Sequence, residues 1–303
     1  MKKNNIRTFA YIITLSTLSV IVSSCNDSND TTSDNELDSI LADNNSSQDL
    51  DQAQKVFYTL PSPFEVASMI KSSGAKFKSD VLNPVDNLSN YSTSKAKAIN
   101  LGVYGADLSI VSMFEQTQES MQYMAVVKKL CEELGISSAF SSKTMERLEA
   151  NKDNQDSVEQ IVADAYLIAN SYLKENEREE ASAMILAGGW IEGLYISTHL
   201  IDTANPNEDL LIMIGEQKYS LENLISLLKS YKKGSLDDLT QDMKELMVTY
   251  DKLEEVNSDE TQQTTNKEQK ITVIGGGSKI NLNLELLNEI TSKITGIRNR
   301  YIE

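Results

Sequence analysis

Two short segments of the chain carry apolar residues at alternating spacings of three and four, which is the a/d seam of a packed helix. One segment is 235–256 and the other lies near the C-terminus. Because each seam is short, we expect the two helices to pair within one chain; an intermolecular coiled coil is the alternative. The seam residues are Leu236, Leu239, Met243, Leu246, Tyr250 and Leu253 in the first segment, and Leu287, Ile290, Ile294, Ile297 and Tyr301 in the second.

Helix start and stop signals predict further helices along the chain. Ser62-Pro63-Phe64-Glu65 is a capping box with proline at the first helical position, and that helix should end at Gly74. A long helix from about Ser94 to Leu134 should stop at Gly135. The fold class that follows is all-α, a multi-helix bundle of antiparallel helices. Its other expected helices are 142–150, 157–174, 178–201, 206–216, 221–232 and 235–256.

The C-terminal part departs from this pattern before the last helix. A polar spacer, 257–269, is followed by alternating apolar residues on both sides of Gly275-Gly-Gly. This arrangement predicts a small β-hairpin, with a glycine hinge as the alternative. We therefore divide the chain into 1–24, 25–54, 55–256, and 257–303; the last part contains the spacer, the hairpin and a helix packed on the helical domain.

The first 24 residues have the organisation of a secretory signal. Lys2, Lys3 and Arg7 precede an apolar run of about fourteen residues, which is shorter than the roughly twenty that a membrane-spanning helix needs. The run closes at Val22-Ser-Ser-Cys25, which resembles the lipobox of bacterial lipoproteins. That resemblance implies that the signal is removed and that Cys25 carries palmitate-type acyl chains. A permanent signal anchor is the alternative.

Residues 25–54 should form a lipid-anchored, disordered tether, because Asn, Asp, Ser and Thr dominate this stretch and bury little surface. Five acidic residues follow Cys25 closely: Asp27, Asp30, Asp34, Glu36 and Asp38. They resemble the acidic export signals of some lipoproteins of Bacteroidetes-type bacteria, which implies an outer-membrane location on the periplasmic face or at the cell surface. A generic solvated linker is the alternative.

Charge and cysteine content exclude several function classes. The chain has 28 basic and 45 acidic residues, and three of the basic ones lie in the signal. This excess of acidic residues gives a negatively charged surface that repels phosphate backbones, so we expect no nucleic acid partner. If Cys25 is acylated, Cys131 is left as a buried free thiol, and with one histidine in the chain no Cys/His zinc site can form. We expect no metal and no cofactor.

The most unusual interior stretch is Ala187-Gly-Gly-Trp-Ile-Glu-Gly-Leu-Tyr. Gly189 and Gly193 are four residues apart, so we expect close packing of a neighbouring helix on that side, and Gly102 and Gly105 could serve the same purpose.

Polar residues on the same helix and on the long helix give the candidate ligand site. Glu192, Tyr195 and His199 fall on one stripe, and Thr117 and Gln118 are expected to form a polar layer in the core. If the two helices are neighbours, these groups converge in a candidate site. The candidate ligand-binding residues are Glu115, Gln118, Trp190, Glu192, Tyr195 and His199.

Three stretches carry a resemblance to a known family: Val56-Phe-Tyr-Thr-Leu-Pro-Ser-Pro, Asn100-Leu-Gly-Val-Tyr-Gly-Ala-Asp-Leu and Gly188-Gly-Trp-Ile-Glu-Gly-Leu-Tyr. The chain resembles a family of uncharacterised α-helical lipoproteins of Bacteroidetes-type bacteria. The resemblance implies an exported helical domain and carries over no catalytic residues.

These sequence features leave three functions open. The first is a lipid-anchored, non-enzymatic binding or scaffolding module of the envelope, held to the membrane through Cys25 and serving an unknown protein or small-molecule partner. The second is a small-molecule or peptide hydrolase that uses Glu192 and His199. The third is a structural envelope component that self-associates through the two seams.

Overall fold

The computed structural model describes residues 59–137, 141–151, 154–231, 234, 236–257, 262–266, 271–275 and 278–303. Cys25, the predicted signal and the predicted tether lie outside these residues. Within the described residues the chain forms nine α-helices and four short strands. The helices are α1 Pro63–Ser72, α2 Ser94–Met113, α3 Thr117–Leu134, α4 Ser142–Ala150, α5 Gln155–Glu175, α6 Glu179–Leu200, α7 Glu208–Ser230, α8 Asp237–Tyr250 and α9 Leu284–Ile302.

The predicted all-α helical bundle is confirmed, and capping residues mark several of its helix ends. The Ser62 hydroxyl accepts from the Glu65 N–H at 3.1 Å, and the Glu65 carboxylate accepts from the Ser62 N–H at 2.7 Å. Gly135 ends α3 in the left-handed region at φ 73°, where a glycine has no Cβ to clash. Asn207 and Asn283 cap α7 and α9 through their side-chain oxygens.

Helix α6 is the central element, because α1, α2, α5, α7 and α9 all pack against it. Of its 22 residues, 15 are buried. A helix covered on so many sides has no solvent face, which is why small and apolar residues occur on most sides of it.

The closest helix contact joins α2 and α6, where glycine lets the two backbones meet. A Cβ on Gly102 would lie 1.9 Å from the Ile185 carbonyl oxygen, and one on Gly188 would lie 1.9 Å from the Ile99 carbonyl oxygen. Close packing was expected at Gly189, Gly193 and Gly102. Gly102 and Gly189 do meet, since a Cβ on Gly102 would lie 2.5 Å from the Gly189 nitrogen, whereas Gly193 has only the Val66 side chain nearby, at 3.9 Å. Both helices begin near the end of α3, because Lys97 of α2 pairs with Glu133 and Arg178, just before α6, donates to the Leu134 carbonyl. The two helices therefore run in the same direction.

The two a/d seams pack against each other inside the chain, as predicted. Every apolar member is buried except Tyr301, which is half-buried, and α8 contacts α9. Thr249 and Lys252 reach Glu289 at one end of this antiparallel pair, and Arg300 reaches Asp242 at the other.

Three predicted helix boundaries are wrong. The helix expected over 235–256 ends at Tyr250, and a short strand begins at Glu254. The single long helix over 94–134 is interrupted at 114–116, where Glu115 takes a left-handed φ of 59°. Conversely, α7 continues through Tyr219 and Ser220, which were expected to separate two helices. Ser220 is buried there, and the apolar period of Leu210, Ile214, Leu221 and Leu228 runs through it without a shift.

The predicted C-terminal β-structure is present, with a different pairing from the one expected. The strands are β1 Glu254–Asn257, β2 Gln262–Asn266, β3 Ile271–Gly275 and β4 Ser278–Asn281. β3 pairs antiparallel with β2, and β4 pairs antiparallel with β1. The apolar segments on the two sides of the glycines therefore do not pair with each other. Ile280 of β4 is buried against Gly215 of α7.

Candidate functional site

A fully buried asparagine organises the segment between α1 and α2, which contains two short 3₁₀ turns, Ser79–Val81 and Val85–Asn90. Asn83 precedes a proline, and a residue in that position is biased away from helix. Its N–H donates to Asp107 Oδ2 at 3.2 Å, and its carbonyl accepts from the Tyr123 hydroxyl at 3.0 Å. Its side chain donates to the Tyr91 hydroxyl at 3.0 Å. One residue thus joins this segment to α2 and α3.

The same polar network holds the C-terminal end of α9. Asn100 of α2 donates to the Tyr301 carbonyl at 2.8 Å, and the Tyr91 hydroxyl donates to the Ile302 carbonyl at 3.1 Å. The last carbonyls of a helix have no intrahelical donor, so side chains from α2 and from the preceding segment satisfy them here.

At the centre of the network lies a buried ion pair between α6 and α9. Arg298 Nε and Nη2 each bond to one Glu192 oxygen at 2.6 Å, in the bidentate geometry that suits a guanidinium and a carboxylate. Glu192 is 0% exposed and Arg298 is 5% exposed. Burial raises the pKa of Glu192, although the Arg298 charge opposes this rise. Burial alone would lower the pKa of Arg298, but its acidic neighbours, Glu192 first, raise it above the ordinary value.

Asp107 of α2 is a second carboxyl group in this centre, and it is also 0% exposed. Burial, followed by the neighbouring Glu192 charge, raises its pKa well above the ordinary value. Asp107 Oδ2 accepts from Asn83, whereas Oδ1 has no hydrogen-bond partner among the described residues. Two acidic groups therefore share one guanidinium.

Tyr195 and His199 extend this centre toward the surface. The Arg298 guanidinium carbon lies 4.0 Å from the Tyr195 ring centre, a cation–π contact. The Tyr195 and His199 rings stack with centres 3.9 Å apart. His199 Nδ1 lies 2.8 Å from the Tyr195 carbonyl oxygen, and Nε2 lies 3.4 Å from the Thr295 hydroxyl. Burial, with Arg298 adding to it, lowers the pKa of His199, so the ring is neutral at pH 7.

Trp190 belongs to a different face of α6. Its Nε1 donates to Gln217 of α7 at 3.0 Å, and Gln217 donates in turn to the Met213 carbonyl at 3.3 Å. The crevice that Trp190 lines with Pro61 and Pro63 offers only about 10 Å³, roughly the space of a single water molecule. The indole is thus a packed and satisfied core group.

Glu115 and Gln118 lie at the surface. Glu115 forms an exposed ion pair with Lys71 at 3.0 Å in the connection between α2 and α3. Gln118 is exposed near the start of α3, as is Thr117, so the expected polar layer in the core is wrong. Of the six sequence-predicted site residues, the structure joins Glu192, Tyr195 and His199, and it leaves Trp190, Glu115 and Gln118 outside that cluster.

Sequence reasoning missed Asn83, Asp107 and Arg298. A signal for Asp107 was present: Asn100 and Asp107 are seven residues apart in the mostly apolar stretch after Lys97, so they share one face. Arg298 gave no such signal, because it directly follows a seam residue and resembles any solvated arginine near a helix C-terminus.

A concave surface in the described part of the chain lies between α8 and the end of α9. It is an open cleft of about 670 Å³. Asp242 lines this cleft. Its carboxylate forms an ion pair with Arg300 and accepts a hydrogen bond from the Tyr301 hydroxyl at 2.6 Å. Its lining residues are Asp237, Asp238, Thr240, Gln241, Asp242, Lys244, Arg300 and Tyr301.

Cys131 is a free, buried thiol in α3, as expected. Burial raises its pKa to about 12, so it is protonated and unreactive at pH 7.

In the described ranges, no group of three or more His, Cys, Asp or Glu residues is arranged to hold a metal ion. None of the helices described is both long and apolar enough to span a bilayer. No protein-family model, curated protein or solved structure matches this chain.

Proposed function

We propose that this chain is a non-enzymatic binding or scaffolding module, anchored by lipid on Cys25 to the outer membrane, at its periplasmic face or at the cell surface. The observation that carries the non-enzymatic part of the proposal is the bidentate Glu192–Arg298 pair, in which both carboxylate oxygens are held at 2.6 Å by a residue of another helix. A carboxylate enclosed in this way ties α6 to α9.

The same geometry argues against the hydrolase alternative. A general base must come within hydrogen-bond reach of a substrate proton, and Glu192 has no exposed surface from which to do so. His199 donates from Nδ1 to the Tyr195 carbonyl, its Nε2 lies 3.4 Å from the Thr295 hydroxyl, and its ring stacks on that of Tyr195, which holds it in a structural position.

Self-association through the heptad seams is disfavoured for a related reason. The seam residues of α8 and α9 are covered by each other and by the rest of the bundle, so they are not available to a second chain.

The anchor is supported by the positively charged start, the short apolar run and the two serines before Cys25. Metabolic labelling with an alkyne palmitate should mark the wild-type protein in the membrane fraction. Cys25→Ala should lose both the label and the sedimentation with membranes. A membrane-bound Cys25→Ala protein would contradict the lipid anchor.

Protease treatment of intact cells then distinguishes the two faces of the membrane. Digestion of the anchored protein would direct the search to extracellular ligands, and protection until the outer membrane is permeabilised would direct it to periplasmic partners.

The non-enzymatic part is tested with chromogenic esters and fluorogenic peptides. We expect no turnover above that of a heat-unfolded sample. Turnover that His199→Ala abolishes while the circular dichroism spectrum stays unchanged would favour the hydrolase instead.

A further inference from the structure

The buried charges of this protein do not balance. The charged side chains buried in the described residues are Asp107, Asp164, Glu192 and Arg298, so Arg298 is the one cation among them. Asp164 bonds elsewhere, to Arg147 at 3.3 Å. Asp107 and Glu192 are thus left with a single guanidinium, and an unbalanced charge in an apolar interior is strongly unfavourable.

The geometry shows where the imbalance is concentrated. Arg298 is committed to Glu192 through both of its bonded nitrogens, and its Nη2 also donates to the Val81 carbonyl at 3.2 Å. Asp107 receives one backbone donor at Oδ2 and none at Oδ1. Asp107 and the Glu192–Arg298 pair hold the same short segment, since Asn83 donates to Asp107 and the Val81 carbonyl accepts from Arg298. The Glu192 charge adds to burial in raising the pKa of Asp107. Two ionised carboxylates could only repel each other there.

We propose that Asp107 is a neutral acid in the folded protein and donates its proton in a hydrogen bond to Glu192, so that Asp107, Glu192 and Arg298 together carry no net charge. Protonation gives the incompletely bonded Asp107 carboxyl group a donor, which a carboxylate lacks. Each Glu192 oxygen already accepts one bond from Arg298 and has a second lone pair to accept another. The proposal concerns the folded core and stands independently of the proposed function.

The titratable groups around Asp107 and Glu192 do not compete for this proton. Around the two carboxyl groups, the 79–91 segment places the Asn83 N–H and Tyr91, and α9 places Arg298. The other neighbours are Tyr104 of α2, Tyr123 of α3 and Tyr195 of α6. Burial raises the pKa of all four tyrosines, so they stay neutral through the acidic and neutral range. His199, next to Tyr195, has a lowered pKa and is neutral above pH 7.

A proton held in this way makes stability depend on pH. The unfolded chain releases the Asp107 proton near pH 3.9, whereas the folded chain retains it to higher pH. Between those two values the folded state binds one more proton than the unfolded state. Raising the pH therefore favours unfolding, by about tenfold in the unfolding equilibrium constant for each pH unit.

The decisive variant is Asp107→Asn, which reproduces the shape and donor of the neutral acid without a titrating proton. Urea unfolding of the full chain in non-ionic detergent should be measured from pH 5 to pH 8. The ratio of the wild-type to the Asp107→Asn unfolding constant should rise about tenfold per pH unit until the pKa of the folded state is reached. Asp86→Asn, at an exposed aspartate, is the matched control and should give a flat ratio.

A second measurement does not require any variant to fold. The side-chain carboxyl ¹³C resonance of Asp107 in the wild-type protein should keep the chemical shift of a protonated acid at pH 6. A carboxylate shift at pH 6, or a ratio for Asp107→Asn that does not change with pH, would overturn the proposal.

Discussion

At the scale of single residues, Arg298 has the largest structural consequence in this molecule. It bonds to Glu192, covers Tyr195 and reaches the Val81 carbonyl, and in doing so it joins α9 to α6 and to the segment before α2. Its removal would leave both Glu192 and Asp107 buried without a cation.

We expect Arg298→Met to lower the free energy of unfolding by about 3–5 kcal/mol, because one partner of a buried ion pair is left without compensation. The double variant Glu192→Leu/Arg298→Met should recover much of that loss, since it removes the unpaired carboxylate as well. Urea unfolding of the two single variants and the double variant completes the cycle. Strictly additive losses would show that the pair does not act as a unit.

Residue-level prediction from the sequence was limited by the distance along the chain between partners. The stripe of Glu192, Tyr195 and His199 follows from helical periodicity, and the structure places these three together. The arginine that unites them is 106 positions from Glu192, and no local pattern selects it among the other basic residues. Gln118 was misplaced because a helix break at 114–116 rotates α3 relative to the face extrapolated from α2.

At the scale of helices, the contact between α2 and α6 depends on glycine in two specific places. Gly102 and Gly188 each face a backbone carbonyl oxygen of the other helix at a distance that excludes a methyl group. Gly105, also within α2, has nothing within 4 Å of the position where a Cβ would stand.

Gly102→Ala and Gly188→Ala should each destabilise the protein by about 3 kcal/mol or more, because backbone atoms must move apart to admit the methyl group. Gly105→Ala is the matched control and should stabilise by roughly 0.5–1 kcal/mol through helix propensity alone. Thermal unfolding followed by circular dichroism measures all three. Equal effects at Gly102 and Gly105 would contradict the close-contact interpretation.

Much of the helical architecture was predictable from local chemistry. The capping box at Ser62, the glycine stop at Gly135 and the two seams follow from patterns that span a few residues, and all are present. The break at Glu115 was not, because it contains neither proline nor glycine. The uninterrupted α7 was missed for the opposite reason, since Tyr219-Ser220 is a weak stop signal that buried packing overrides.

At the scale of the whole molecule, the end of α9 serves as a closing element. Its Tyr301 and Ile302 carbonyls accept from Asn100 and Tyr91, and its Arg300 and Tyr301 side chains bond to Asp242. The last turn thus connects α2, α8 and the segment that precedes α2.

Deleting residues 300–303 should cost more than about 3 kcal/mol of unfolding free energy, because buried donors on Asn100 and Tyr91 lose their acceptors. Deleting Glu303 alone, which is exposed, should change stability by less than about 0.5 kcal/mol. Urea unfolding of both truncations gives the comparison. A stable protein lacking 300–303 would mean that the other helices close the bundle without this turn.

The bond between Tyr91 and Ile302 also sets an order of events during synthesis. It spans 211 positions, and the Arg298–Val81 bond spans 217. Until α9 leaves the ribosome, Glu192 of α6 has no partner and the carboxyl pair has no cation. The native interior therefore forms only after α9 has been synthesised, and such long-range closure is slow compared with local helix formation. A stalled nascent chain lacking α9 would be a substrate for chaperones rather than a folded domain.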